Sequence, residues 1–174
     1  MKLIIINGPT GIGKSTISKM LHNDLSLSFL LAMDEQRRYI SKYREYRVES
    51  RDLVRNLALA IIDTYLQTGH DVIIDAVITD SILMDKIMDI GAKNNATILE
   101  FILTSDKDIL IKRAENRGYR EGGLLTPEKV IEFWKNIQTF TKERTDAIVI
   151  DTTNLKIEDT YKYIQSIVLS NKNI

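Results

Sequence analysis

The sequence predicts a layered α/β fold, a parallel β-sheet with helices on both faces, and three observations carry that prediction. Five short runs, residues 3–6, 29–33, 72–75, 98–103 and 147–150, are apolar almost throughout, as strands buried on both faces must be. Longer segments of helical period separate them, which is the alternation a parallel sheet requires. A glycine-rich turn, residues 8–15, joins the first run to the first helical segment.

Each element has its own signal. Leu3, Ile4, Ile5 and Ile6 form the first strand, and the amphipathic segment after the glycine turn ends near Leu25. Phe29 to Met33 reads as a second strand ending at Asp34, with a short helix over 35–43. A longer helix is expected from about Ser50, with Leu53, Leu57, Ala60, Ile61 and Tyr65 on its core stripe and Gly69 as its stop. Val72, Ile73 and Ile74 make a third strand ending in Asp75, and 79–94 a helix with Asp80 or Ser81 near its cap. Residues 98–103 are the fourth strand. Ser105 is expected to cap a helix through Arg117, residues 118–125 to form a basic loop, and Pro127 to open the next helix at its first turn. There Trp134 joins Val130, Phe133 and Ile137 on a core stripe. The fifth strand leads into Asp151, Thr152, Thr153 and Asn154 and a terminal helix to about Ser170. His22 and His70 read as surface or loop residues.

Composition narrows the classes. A chain of 174 residues, 44% hydrophobic, fits one domain over residues 1–174. Its 24 basic and 24 acidic residues cancel, so there is no global electrostatic footprint for nucleic acid or an anionic membrane. The absence of cysteine excludes disulfides, thiol catalysis and cysteine-ligated metal. The first apolar run is too short for a secretory signal, and none approaches the ~20 residues of a membrane span, so a cytoplasmic enzyme is expected.

The chemistry starts at the glycine turn. Gly8, Gly13, Lys14 and Ser15 fill every fixed position of the Walker A pattern, G-x-x-x-x-G-K-[ST], between a strand and a helix as that pattern demands. Such a loop turns successive N–H groups toward one anion, and the helix that follows adds its unpaired N–H groups and positive dipole end. Lys14 contributes a point charge, and the Ser15 hydroxyl a hard oxygen ligand for Mg2+. A nucleoside triphosphate is the expected ligand.

Ligands of an open parallel sheet bind outside the carboxyl ends of its strands, where the glycine turn, Asp34, Asp75 and the loop 152–154 should meet. Asp75 closes an apolar run in the Walker B manner, which suits a carboxylate holding a water of the magnesium shell; its competing role is a strand-end or helix-capping carboxylate. Asp34 is the candidate to accept the proton of an attacking hydroxyl, against a plain capping role. Arg113, Arg117 and Arg120 suit a cationic lid over a transferring phosphoryl group, or alternatively a solvated helix end. Between 37 and 55 seven basic residues (Arg37, Arg38, Lys42, Arg44, Arg47, Arg51, Arg55) stand against Glu45, Glu49 and Asp52. That excess points to an anionic acceptor, or to a solvated face of local ion pairs.

Gly8 to Thr16, Asp34 with Arg37 three residues on, Val72 to Asp75, and Lys112-Arg113-Ala114-Glu115-Asn116-Arg117-Gly118 together resemble the small P-loop kinases. That group includes polynucleotide 5′-hydroxyl kinases, zeta toxins, gluconate and shikimate kinases and nucleoside monophosphate kinases. The resemblance implies a three-layer P-loop NTPase fold, five strands in the order 2-3-1-4-5, and a small helical lid at about 113–126. It implies ATP and Mg2+, with the nucleotide on Gly8, Thr10, Gly11, Ile12, Gly13, Lys14, Ser15 and Thr16. Asp34 becomes the general base and Arg37 an acceptor-anion contact, with Arg38, Asp75 and Arg120 on the acceptor side. Arg113 lies beside the adenine, Arg117 is the lid arginine on the phosphates, and Thr153 and Asn154 line the base pocket. Two departures stand out. The third strand continues Asp75-Ala76-Val77-Ile78 where polynucleotide kinases and zeta toxins commonly have Asp-x-Thr-Asn, and Asp34 lacks the Asp-x-Asp setting of shikimate kinases. The expected activity is transfer of the γ-phosphoryl of ATP to a small acceptor. A polynucleotide 5′-kinase and a nucleotide-gated regulator are the alternatives, and neither the Asp-x-x-Gly nor the Asn-Lys-x-Asp motif of a GTPase switch occurs.

Overall fold

The computed structural model describes residues 1–118 and 126–170. The five apolar runs become strands β1 (Lys2–Asn7), β2 (Phe29–Ala32), β3 (Val72–Asp75), β4 (Thr97–Thr104) and β5 (Ile148–Asp151). They form one parallel sheet in the order β2-β3-β1-β4-β5, as expected. β1 lies centrally, paired Ile6 to Asp75 with β3 and Asn7 to Ile102 with β4. It is buried along its whole length, so successive side chains feed opposite layers.

Leu3 and Ile5 pack with helices α3 (Arg47–Leu66), α4 (Ser81–Lys93) and the distal part of α6 (Pro127–Glu143). Ile4 and Ile6 pack with α1 (Lys14–Asp24), α5 (Lys107–Arg117), the start of α6, and α7 (Ile157–Ser170). Asp80 caps α4 by accepting from the Leu83 N–H at 3.2 Å, and Thr126 caps α6 ahead of Pro127. Both starts were expected. Among the described residues no helix is long and apolar enough to cross a membrane.

Five expectations are corrected. Residues 35–43 do not form one helix: a four-residue turn of helix, α2 (Met33–Gln36), passes into a 3-10 turn over Arg37–Tyr39. α3 starts at Arg47 rather than Ser50, and its buried face is Ser50, Val54, Ala58, Ile62 and Leu66. Leu53 and Leu57, expected in the core, are 57% and 47% exposed, and Ala60 is exposed, beside an apolar recess of about 330 Å³ lined by Phe29, Ala60, Ile61, Thr64 and Tyr65. The helix carries two apolar stripes offset by one residue, about 100° of rotation. The stripe with the small Ala58 at its centre is the one placed against the sheet. Ser105 does not cap α5; the N-cap residue is Asp106, without a side-chain cap bond, and the Ser105 hydroxyl donates to the Asp106 carbonyl. Trp134 is half-buried against the cluster that holds Val130, its indole N–H donating to the Ser105 carbonyl at 2.8 Å, but the expected stripe divides: Ile137 is buried in the opposite layer, and Phe133 is half-exposed and belongs to neither cluster.

Candidate active site

The glycine turn sits where β1 hands over to α1, at the carboxyl edge of the sheet. Gly8 is buried with φ +146°, and a Cβ there would lie 2.6 Å from the Leu103 carbonyl of β4, so the loop enters along a path only glycine can follow. Ile12, 4% exposed, pins the loop into the core below α1. Thr10, Gly11 and Gly13 are half-exposed, and Ser15 and Thr16 are exposed. α1 begins without a side-chain cap and without an acid in its first turn. Its first N–H groups and positive dipole end therefore meet no competing carboxylate of their own helix, which is the condition for an anion site.

Lys14 is buried, with its ammonium donating to the Pro9 carbonyl at 3.1 Å. The lysine is thereby folded back over the loop it serves. Asp75, at the end of β3, is 8% exposed and accepts a hydrogen bond from the Ser15 hydroxyl. Burial pushes its carboxyl above the ordinary carboxylate value; the charge of Lys14 and the Ser15 bond oppose the shift, and the charges of Asp34 and Glu35 reinforce it. Ser15, Lys14, Asp34, Glu35 and Asp75 thus form one electrostatic neighbourhood, drawn from β1–α1, α2 and β3. The cap role is realised for neither aspartate: Asp34 lies inside the first turn of α2, exposed, and α4 is capped by Asp80.

Ser15 and Asp75 fit a magnesium site. A hydroxyl ligand beside a buried carboxylate, with nucleotide phosphates completing the shell, suits an ion that keeps several waters and takes few protein ligands. Among the described residues no group of three or more His, Cys, Asp or Glu side chains could hold a metal by itself.

The basic stretch resolves residue by residue. Arg37 donates from Nε to the Ser50 hydroxyl at 3.0 Å and from Nη2 to the Arg47 carbonyl, and its guanidinium stands over the Tyr43 ring. It braces the start of α3. Lys42 pairs with Glu45, Arg44 stacks on Tyr43, Arg47 donates to the Arg44 carbonyl, Arg51 pairs with Asp52, and Arg55 bridges Asp52 and Asp80. Among the seven basic residues of this stretch, all of them described, Arg38 alone has no hydrogen-bond or ion-pair partner, and it is exposed on the turn that follows Asp34.

On the other side of the sheet, Arg113 donates to the Thr152 hydroxyl at 3.0 Å and to its carbonyl at 2.7 Å. Asp151 accepts from both the N–H and the hydroxyl of Thr153, and those bonds hold its carboxyl below the ordinary value. The Thr153 hydroxyl in turn accepts from the Asp106 N–H. Arg113 and the loop holding Thr153 and Asn154 are therefore one bonded unit, with Asn154 exposed. Arg117 is the last residue of α5, its side chain outside the described residues; Arg120 and most of the expected lid lie outside them too.

Two participants escaped the reading of the sequence. Glu35 adds a second carboxylate next to Asp34 on the same helical turn, and its adjacency was the available signal. Asn7, fully buried, bonds both the turn and the segment after Asp75. A lone polar residue closing an apolar strand just ahead of a glycine could have marked it.

A parallel sheet in this order with a Walker A loop at its carboxyl edge defines a P-loop fold of the kinase type. The sequence family described as an AAA domain matches residues 3–140, most of the chain, and the chain belongs to it. No curated protein matches the sequence. Among solved structures the chain is similar to shikimate kinase from Bacteroides thetaiotaomicron (17% identity, 97% of this chain and 98% of that one, TM-score 0.66). It is also similar to a gluconokinase from Sinorhizobium meliloti (13%, 99% and 98%, 0.65) and to thymidylate kinase from Candida albicans (17%, 98% and 92%, 0.63). At these identities the likeness is one of fold.

Proposed function

We propose that this protein is an ATP- and magnesium-dependent kinase that moves the γ-phosphoryl group of ATP to a hydroxyl or phosphate of a small, anionic acceptor in the cytoplasm. The observation that carries the proposal is the electrostatic unit at the sheet edge, where Lys14, Ser15 and the uncapped start of α1 adjoin Asp75, which also feels the charges of Asp34 and Glu35. A phosphate cradle beside carboxylates outside the cradle is the division that phosphoryl transfer to an acceptor needs.

The roles follow from position. The loop from Gly8 to Thr16 holds the β- and γ-phosphates, and Lys14 neutralises charge that develops on the bridging oxygen. Ser15 and Asp75 would hold Mg2+, the first directly and the second through water; the ion supplies Lewis-acid neutralisation of the phosphate oxygens. Asp34 accepts the proton of the acceptor hydroxyl as its oxygen bonds to the γ-phosphorus. The bond from that phosphorus to the β–γ bridging oxygen breaks, and its electron pair leaves on ADP. Arg113 and the loop through Thr153 and Asn154 border the adenine; by the family resemblance, Arg117 would neutralise the phosphates and Arg120 would serve the acceptor side. Arg38 replaces Arg37 as the leading contact for the acceptor's anionic group, because Arg37 is committed to α3. Shikimate and thymidylate, the acceptors that name two of the structural neighbours, are anions, in keeping with this reading.

A 5′-hydroxyl polynucleotide is the second reading. Tyr39 and Tyr46, 85% and 54% exposed and next in the chain to Arg38 and Arg47, favour it, since exposed rings beside arginines can stack successive bases. The test is an ADP-release screen over nucleosides, nucleotides, sugar acids, aminoglycosides and 5′-hydroxyl oligonucleotides. The kinase proposal predicts at least one acceptor that raises ADP formation far above the acceptor-free rate; none doing so, with nucleotide bound, would favour a nucleotide-gated regulator. Salt separates the acceptor classes, because binding through several phosphates weakens steeply and log-linearly with salt and binding through one anion weakly.

A further inference from the structure

Asn7 has no exposed surface, yet its carboxamide makes three bonds, all to backbone. Its Oδ1 accepts from the Gly8 N–H at 2.8 Å and from the Ile78 N–H at 2.9 Å, and its Nδ2 donates to the Ile78 carbonyl at 2.8 Å. The side chain treats Ile78 as a neighbouring strand would, meeting both its backbone groups. It does so beyond the point where the β1–β3 ladder stops, at Ile6 opposite Asp75. Between those points lies one long ladder-like contact among the described residues, 3.4 Å from the Ala76 N–H to the Ile6 carbonyl.

Two consequences follow from the shared acceptor. The Gly8 N–H is turned back into the fold, which sets the orientation of the first peptide of the cradle. The chain leaving Asp75 is held to that same peptide, so the buried carboxylate and the cradle cannot shift independently. At its far end this segment is held to α3, because Asp80 receives Arg55 at 3.0 Å. We propose that Asn7 is a positioning residue that keeps Asp75 in register with the phosphate cradle, so that a magnesium–nucleotide complex meets both in one geometry. The inference rests on the proposed ATP and magnesium site. Asn7 touches no substrate; it acts through Gly8 and Ile78.

Asn7→Asp is nearly isosteric, keeps an acceptor for the two N–H groups and sets an oxygen lone pair against the Ile78 carbonyl. The probe is the fluorescent analogue mant-ATP, titrated with magnesium and with EDTA, on wild type and variant. Wild type should bind the magnesium complex more tightly than the free nucleotide. N7D should hold its metal-free affinity within about twofold and lose roughly tenfold or more of the magnesium-dependent gain, the scale seen when a partner behind a metal site is removed. A merely structural asparagine would lower the fraction of competent protein and leave that ratio unchanged, and an unchanged ratio in folded N7D overturns the inference. If wild type itself shows no magnesium-dependent gain, the ATP site reading fails first and takes this inference with it. Should N7D not fold, hydrogen exchange of the wild-type protein decides. Magnesium and mant-ATP should slow the Gly8 and Ile78 amides together, and slowing at Gly8 alone overturns the coupling.

Discussion

Replacing Gly8 by alanine places a methyl group where the structure has no room for one. The new Cβ would stand 2.6 Å from the Leu103 carbonyl oxygen, 3.2 Å from the Leu103 Cβ and 3.3 Å from Ile12 Cγ2. The first is backbone of a central strand, so relief requires β4 or the loop to move. The backbone at φ +146° adds strain, about 1–3 kcal/mol for a side chain held in a region reserved for glycine. Overpacking of a rigid site adds about 1–3 kcal/mol more. Gly11 is the internal control. Its φ of +92° carries comparable strain, but a Cβ there meets only Ala114 at ordinary contact distance, 3.5 Å. G8A should therefore cost about 2–6 kcal/mol and G11A, which has the strain without the clash, about 1–3 kcal/mol. For a chain of this size that corresponds to melting losses of roughly 4–24 °C and 2–12 °C. Thermal unfolding followed by circular dichroism without nucleotide measures both. A G8A variant that melts within about 2 °C of wild type, or a G11A variant that loses more than G8A, would refute the steric reasoning.

Asp75→Asn should stabilise the nucleotide-free protein, and more so at pH 8 than at pH 4. The folded state holds its carboxyl above the ordinary value, so it binds the proton more tightly than the unfolded chain, and stability falls as pH rises from the unfolded pKa through the folded one. A melting-temperature gain equal at both pH values would contradict the buried-carboxylate account. Lys14→Ala should lower kcat by on the order of 10²–10³ while leaving a folded protein, since it removes charge stabilisation and one bond to the Pro9 carbonyl; wild-type turnover in that variant would remove Lys14 from the chemistry. Asp34→Asn should lower kcat more than it raises the acceptor KM, and unfolding instead would assign Asp34 to the structure. Arg37→Ala and Arg38→Ala should part company. The first loses roughly 1.5–3 kcal/mol of stability with its bonds to Ser50 and Arg47, and the second raises the acceptor KM at unchanged melting temperature. The reverse pattern would return the anion contact to Arg37.

Much of this was legible in the chain because the fold is built from strands buried on both faces. Runs such as Ile4-Ile5-Ile6 and Ile73-Ile74 admit few other readings, and their spacing leaves room for at least one helix between each pair. The Walker A loop was legible because its function lies in backbone that only particular residues permit. What resisted was relative rotation. In α3, Leu53 and Leu57 look as apolar as Val54, Ala58 and Ile62, and the choice between them depends on how closely a helix with Ala58 at its centre approaches the sheet. Side-chain commitment over distance resisted as well. Arg37 reads as a free cation beside Asp34, and Ser50, thirteen positions away, claims it. Asn7 and Ile78 are 71 positions apart, and no local pattern announces their bond. Asp34 and Asp75 were found because strand ends of a parallel sheet converge; Glu35 was passed over because one strand end was assigned one carboxylate. The roles of Arg117 and Arg120 rest on their spacing at the end of α5 and on the resemblance.

Following the fate of the γ-phosphoryl group tests the central claim most directly. With ATP labelled in its γ-phosphate, magnesium and the best acceptor of the screen, the label should appear on the acceptor in step with ADP, at a rate that Lys14→Ala reduces by on the order of 10²–10³. Label appearing as inorganic phosphate whether or not an acceptor is present, or transfer that persists undiminished in folded Lys14→Ala, would contradict it.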